Sequence, residues 1–446
     1  MFDDNLYQFD TPQPSYWEAT AGSPQFDAAP LQSDEQADVA IIGGGYTGLS
    51  AALHLARDHG IDVRVVDAGH IGWGASGRNG GFCCPGGTAV HGADLIRLVG
   101  VDAAKQFYAV QVQAVEFVRQ LAREEGIEYQ AFGNAIIEVA HTPRSFARLQ
   151  RDHDVLSNTL GLQTEIVPSE ECRERFYDST EQYGALVMRP AFGLHPLRFC
   201  LGLAAAATRH GARLHGNSEV VEWTKNETGM HHLVTRGGTL SARRVIFATN
   251  GFMPEQLAPK FAGRTIPVIS AIVVTRPLSE EEMSAQSWTT AHTVINSRRI
   301  LNYFCVLPDN RFLLGGRGDI SGSVEGERKI YEGLARLLGR VWPAWSHVEI
   351  DYRWHGLVST TASLCPSIGR LEDDDSVYFG FGYHGDGVNN APWTGKQIAD
   401  WIGKGREPDT LPDIVRGLCK KYPLPGLRRP YLKFALAVAR QVDRFS

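Results

Sequence analysis

The 446-residue chain has no CxxC pair among its seven cysteines, which stand at positions 83, 84, 172, 200, 305, 365 and 419. An odd, scattered set of this kind excludes a disulfide framework and offers no structural zinc spacing. There is no surplus of positive charge either, because 44 Lys and Arg stand against 50 Asp and Glu, a net charge of −6. With no aromatics interleaved among basic clusters, nucleic acid is not an expected partner. No apolar run approaches the roughly 20 residues that span a bilayer. The opening MFDDNLYQFDTPQPSYWEAT lacks the basic and apolar regions of a secretory signal. The expectation is a cytoplasmic globular protein without stable membrane insertion, long enough for a large core and two domains.

What is present begins with ADVAIIGGGYTGLSAALHLARDHGIDVRVVDAG, from Ala37 to Gly69. Val39 to Ile42 reads as a buried parallel strand. Gly43-x-Gly45-x-x-Gly48 then opens a helix that stops near Gly60, and Val63 to Val66 makes a second strand ending at Asp67. In such a unit Gly43 permits the tight turn, Gly45 admits a pyrophosphate to the backbone, and Gly48 lets helix and strand pack closely. The helix N-terminus supplies free N–H groups for the phosphates. Asp67 is placed for the ribose hydroxyls, and a carboxylate there argues against NADP. The segment therefore reads as a dinucleotide site.

The run after Asp67, GHIGWGASGRNGGFCCPGG, is rich in glycine and suits backbone lying against a large flat ligand. Together with GGGYTGLSAALHLA it resembles the FAD-dependent amine and amino-acid oxidoreductases of the D-amino acid oxidase superfamily, in particular the gamma-glutamylputrescine oxidase-like branch. The resemblance implies an α/β chain, α+β overall. A Rossmann-like FAD-binding domain would comprise residues 1–91, 191–254 and 351–446, the last with a C-terminal helix expected to dock on the protein itself. A discontinuous mixed-sheet substrate domain would comprise residues 92–190 and 255–350.

FAD contacts then follow by segment. The first loop contributes Gly43, Gly45, Tyr46, Thr47 and Gly48, with Asp67 and Ala68 at the ribose. The glycine-rich run contributes Ser76, Arg78, Asn79, Gly80 and Gly81. Val220 and the turn Thr249, Asn250 and Gly251 follow, then Trp354 and Gly356 in RWHGLVSTTASLCPSIGR. The closing signature YFGFGYHGDGVNNAPWTGKQIADWI contributes Gly385, Asp386, Gly387 and Val388, and opens a helix aimed at the flavin pyrimidine ring, where its dipole would stabilise reduced flavin. No metal site is expected.

The implied reaction oxidises a C–N bond of an amine or amino acid, a gamma-glutamylated amine or an N-substituted amino acid included. Hydride passes to flavin N5 and the imine hydrolyses. Molecular oxygen or another acceptor takes the electrons, an oxidase being favoured over a dehydrogenase. A 2-hydroxy acid oxidoreductase and a non-catalytic flavoprotein subunit stay open as alternatives. Tyr303, Trp354, His355 and His384 are the catalytic candidates.

Two positions depart from the family. Asp386 stands where a Gly-His-Gly step is usual and is expected to cap the following helix. Cys305 stands where relatives often carry Arg. Cys305, Cys365 and His384 are conceivable covalent anchors for FAD, the cysteines more simply reading as buried and unreactive. Cys83 and Cys84 are expected to pack beside the cofactor.

Overall fold

The computed structural model describes residues 4–90, 92–253, 255–317 and 320–445. Its first eight-stranded sheet is built on Glu35–Ile42, whose last four residues are all buried. This strand pairs in parallel with Val63–Val66 on one side and Thr239–Phe247 on the other. Arg213–His215 extends the parallel array beyond Val66, and Val377–Phe381 extends it beyond Phe247. Parallel strands are covered on both faces, which is why Val39–Ile42 and Val63–Val66 read as unbroken apolar runs.

The helix Tyr46–His59 follows the first strand and ends at Gly60, whose left-handed φ of 62° closes it. It packs on Gly387–Lys404 at Gly395, where a Cβ would stand 2.7 Å from the backbone nitrogen of Ala51. Helices Pro196–Arg209 and Val101–Glu125 join the same layer. Leu49, Leu53, Val115, Leu121, Leu203 and Ile398 are fully buried in its core, each large side chain stabilising the layer by roughly 1.5–3 kcal/mol. Val101–Glu125 therefore belongs with the nucleotide layer, although residues 92–190 were expected to form the other domain.

The second eight-stranded sheet runs in the order Ile350–Thr361, Thr265–Pro277, Arg311–Arg317, Asn302–Val306, Thr293–Asn296, Ile136–Val139, Ala185–Arg189 and Gln163–Val167. All its pairings are antiparallel except Thr293–Asn296 with Ile136–Val139, so the sheet is mixed. Strand Ile350–Thr361 pairs with Thr265–Pro277 along nearly its whole length. The second sheet thus runs about eleven residues past the expected break at 350.

One face of this sheet packs under helix Val324–Val341 on an aromatic cluster of Tyr177, Trp288, Phe304, Phe312, Trp342 and Trp345. The other face looks toward the nucleotide layer. Strand alternation decides which residues see which side: Phe304 joins the aromatic core while Tyr303 faces the interior cavity. At the end of the chain, helix Arg428–Phe445 is docked by the Arg428–Glu255 ion pair and by Asp443, which accepts from the backbone of Arg299 and Ile300. Among the described residues, no helix is long and apolar enough to cross a membrane.

Candidate active site

Between the two sheets lies a cavity of about 1590 Å³ that runs from Gly43 and Asp67 to Tyr303 and beyond. At the Gly43 end its walls are backbone. Gly43 has φ +112°, and a Cβ there would meet the Ala248 carbonyl oxygen at 2.8 Å. A Cβ on Gly45 would meet Ser76 Oγ at 2.8 Å instead. Ser76 Oγ accepts from the Tyr46 N–H at 2.9 Å, tying the glycine-rich run to the first turn of the helix. Asp67 lies in the cavity with its carboxylate accepting from Gly44 N–H at 2.6 Å and Gly69 N–H at 2.9 Å. Burial raises its pKa while those two amides pull it down.

Arg78 is buried at the middle of the cavity. Its guanidinium stacks on Trp73 at 3.8 Å and donates from Nε to the Trp73 carbonyl at 2.6 Å, yet its Nη2 has no hydrogen-bond partner among the described residues. Burial brings its pKa down to about 10. Asn79 holds the next turn by accepting from Gly81 N–H at 2.8 Å. A Cβ on Gly80 would collide with the ring of Tyr303 at 2.9 Å.

Across the cavity, the second sheet presents two rows. Trp354, Ile272, Gly315 and Tyr303 are successive partners in one, and Gly356, Ser270 and Arg317 in the next. Gly315 has no side chain, which leaves room for the Tyr303 ring. Tyr303 OH lies 2.9 Å from Ser270 Oγ, and burial pushes its pKa up to about 12. The Arg317 guanidinium makes no ion pair among the described residues, and burial lowers its pKa.

The loop after Phe381 closes the site. His384 adopts φ +56° and turns its Nε2 toward the Thr361 N–H at 3.2 Å. Its Nδ1 is buried without a hydrogen-bond partner among the described residues, and burial, with Arg317 nearby, lowers its pKa to about 4. Its imidazole is therefore neutral at pH 7.

The sequence profile described as DAO, FAD dependent oxidoreductase, matches residues 38–401. This chain belongs to that family of FAD-dependent oxidoreductases. It is 30% identical over 438 residues to the gamma-glutamylputrescine oxidoreductase of Escherichia coli K12, covering 96% of this chain and 98% of that protein. Its fold is similar to the crystal structure of glycine oxidase from Geobacillus kaustophilus, with TM-score 0.69 at 21% identity over 87% of this chain and 100% of that one. It is similar too to L-alpha-glycerophosphate oxidase from Mycoplasma pneumoniae with FAD bound, with TM-score 0.64 at 16% identity over 88% of this chain and 99% of that one.

FAD is the family's cofactor, and the cavity fits it. The glycine cradle brings backbone closer to Ala248 and Ser76 than a Cβ at Gly43 or Gly45 would allow, and Arg78, which lines the cavity, carries a buried Nη2 without a hydrogen-bond partner among the described residues. Tyr46, Thr47, Ala68, Val220, Thr249 and Asn250 also face this space, as do Gly356 and the residues Gly385 to Val388 that open helix Gly387–Lys404.

Other expected contacts lie elsewhere. Gly48 meets the Gly43 carbonyl and packs helix on strand; Gly81 turns to the Leu194 carbonyl; Gly251 is wedged against Leu357. Trp354 is buried behind the wall, donating from Nε1 to the Arg78 carbonyl at 2.8 Å, so it props the FAD side rather than facing it. His355 points to the opposite face of the sheet, 3.3 Å from Tyr331 OH and 3.5 Å from Glu327. Asp386 occupies the N-cap position but does not cap, because its carboxylate accepts from Gly87 N–H at 2.8 Å and Cys84 Sγ at 3.5 Å. Cys84 faces the cavity through that contact, whereas Cys83 and Cys305 are core residues with no exposure. Cys365 is also buried, its thiol 3.8 Å from Thr88 Oγ1.

Sequence reasoning missed Trp73, Ser270, Arg317 and Tyr383, the last bonded to Thr47 at 2.7 Å. Arg317 had one findable signal: it ends the strand that pairs with Tyr303's own.

Proposed function

We propose that this chain oxidises the C–N bond of an amine or amino acid, a gamma-glutamylated amine such as gamma-glutamylputrescine being the leading substrate. The observation that carries this reading is the placement of Arg317, which makes no ion pair among the described residues, near the neutral His384 in the wall of one cavity. When bound, FAD supplies the two-electron acceptor for the C–H bond next to nitrogen. That chemistry needs an unprotonated amine. A guanidinium beside the substrate nitrogen disfavours an ammonium by like-charge repulsion. His384 Nε2 accepts from the Thr361 N–H, which leaves the neutral ring's proton on Nδ1 as a donor toward an acceptor atom of the substrate. Tyr303, held by Ser270, lines the cavity against Gly80 and would shape the space a substrate enters. Where the substrate is an amino acid, the same guanidinium receives its carboxylate.

The test is anaerobic reduction of the FAD-loaded protein, followed by loss of its yellow colour. Amines, and not 2-hydroxy acids, should bleach it. Arg317→Met should slow bleaching by about a hundredfold, the value of a buried charged contact of roughly 2–3 kcal/mol. Bleaching by 2-hydroxy acids alone would transfer the reading to C–O oxidation, and no bleaching by either would support a subunit without its own chemistry. Peroxide release in air separates oxidase from dehydrogenase.

A further inference from the structure

The cavity does not end at Tyr303. Tyr303, Ile295 and Glu138 are successive partners across neighbouring strands and share its face. Glu138 therefore stands two strand spacings, roughly 10 Å, from Tyr303. The intervening wall is apolar, formed by Ile295 and Ile136. At Glu138 the character changes. Its carboxylate holds Arg148 Nη2 at 2.7 Å, and Arg148 belongs to helix Pro143–Asp154.

Residues i, i+4 and i+7 share one face of a helix. On this helix they are Arg144, Arg148 and Arg151, and all face the cavity. Arg148 is committed to Glu138, but Arg144 and Arg151 are exposed and make no ion pair among the described residues. Asp152, 3.8 Å from Arg148, lines the same end. The cavity thus has a cofactor cradle, an apolar waist and a far end where Arg144 and Arg151 stand beside the carboxylates of Glu138 and Asp152.

We infer that the arginine face of helix Pro143–Asp154 is a distal subsite that holds the carboxylate of an elongated amine while its amine end lies beneath Tyr303. This rests on the amine reading above. The α-amino acid end of a gamma-glutamylated diamine matches the charges: Arg144 and Arg151 for its carboxylate, Glu138 and Asp152 for its ammonium. The lengths agree too. From the reacting carbon of gamma-glutamylated 1,4-diaminobutane to its carboxylate there are about nine bonds, or roughly 11 Å extended. An amine lacking the distal carboxylate would leave the arginines to water.

The probe is the gamma-glutamyl amide of butylamine, which keeps the distal group but lacks the terminal amine that would lie beneath Tyr303. Its binding to the FAD-loaded protein is measured by calorimetry, beside anaerobic bleaching by gamma-glutamylputrescine and by neutral N-butanoyl-1,4-diaminobutane. Arg144→Gln with Arg151→Gln should weaken the inert amide about tenfold and remove the salt dependence of its binding, leaving N-butanoyl-1,4-diaminobutane unchanged. Unaltered amide binding in the double variant, equal losses for both amines, or no binding of the amide to a protein that amines bleach would each overturn the subsite. Arginine-dependent amide binding to a protein that no amine bleaches would retain the subsite and remove the amine-oxidation reading.

Discussion

The two ends of the cavity are made of different material. At Gly43 the walls are main chain: a left-handed turn against the Ala248 carbonyl, amides pointing at Asp67, and a helix opening at Tyr46. At Tyr303 they are side chains, delivered by strands far apart in sequence and brought into rows by pairing register. A wall of backbone is fixed by local rules and tolerates no added atom, whereas a wall of side chains can be retuned one residue at a time. On the function proposed, the first end takes the cofactor and the second the substrate.

The sharpest break in that comparison comes from the glycines. Gly43→Ala adds a Cβ at φ +112° against backbone that cannot move aside, while Gly45→Ala meets only the Ser76 hydroxyl. The left-handed strain alone costs about 1–2 kcal/mol, and the clash adds to it. FAD affinity, read by quenching of its fluorescence, should fall at least a hundredfold for Gly43→Ala and less than tenfold for Gly45→Ala. Equal losses would mean that the wall is softer than its geometry indicates.

A smaller effect spans both ends. His54 and His195, in the helical layer, are buried with pKa values lowered to about 4 and about 3, and His384 in the cavity wall is lowered to about 4. Burial is the largest cause in each. Lowered below the usual 6.5, these groups bind protons more readily unfolded than folded. Their contribution is fully present above pH 6.5 and is lost as pH falls toward the folded values. At pH 4.5 each should cost roughly 2–3 kcal/mol. Denaturant midpoints should drop steeply between pH 6.5 and 4.5, and His54→Gln should flatten that drop.

The same contrast explains what was legible in the sequence. Strand, glycines, helix and Asp67 lie within one short stretch, so spacing alone locates them. The hairpin at Asn302–Val306 and Arg311–Arg317 is also readable, because its turn residues lie together. Ser270 was not readable, since only the register of Thr265–Pro277 against two neighbours sets it beside Tyr303 and Gly356. Asp386 was misread for a related reason. A helix cap is a local rule, and its real partner, the Gly87 amide, lies in a segment that only the tertiary fold brings near.

The smallest expected effect tests the direction in which one strand faces. Residues Trp354, His355 and Gly356 are adjacent in sequence, and proximity alone makes each a candidate for the site. The pleat separates them: Trp354 and Gly356 turn toward Arg78, while His355 turns toward Tyr331 and Glu327 under helix Val324–Val341. His355→Gln should therefore lower stability by about 1 kcal/mol, the worth of a buried polar contact, and leave flavin reduction within about threefold of the parent. Trp354→Phe removes the bond to the Arg78 carbonyl and should loosen FAD several-fold while leaving the substrate's dependence on pH in place. If His355→Gln instead abolished reduction with stability intact, the second sheet would have to present its other face to the chemistry, and the assignment of Tyr303 would fall with it.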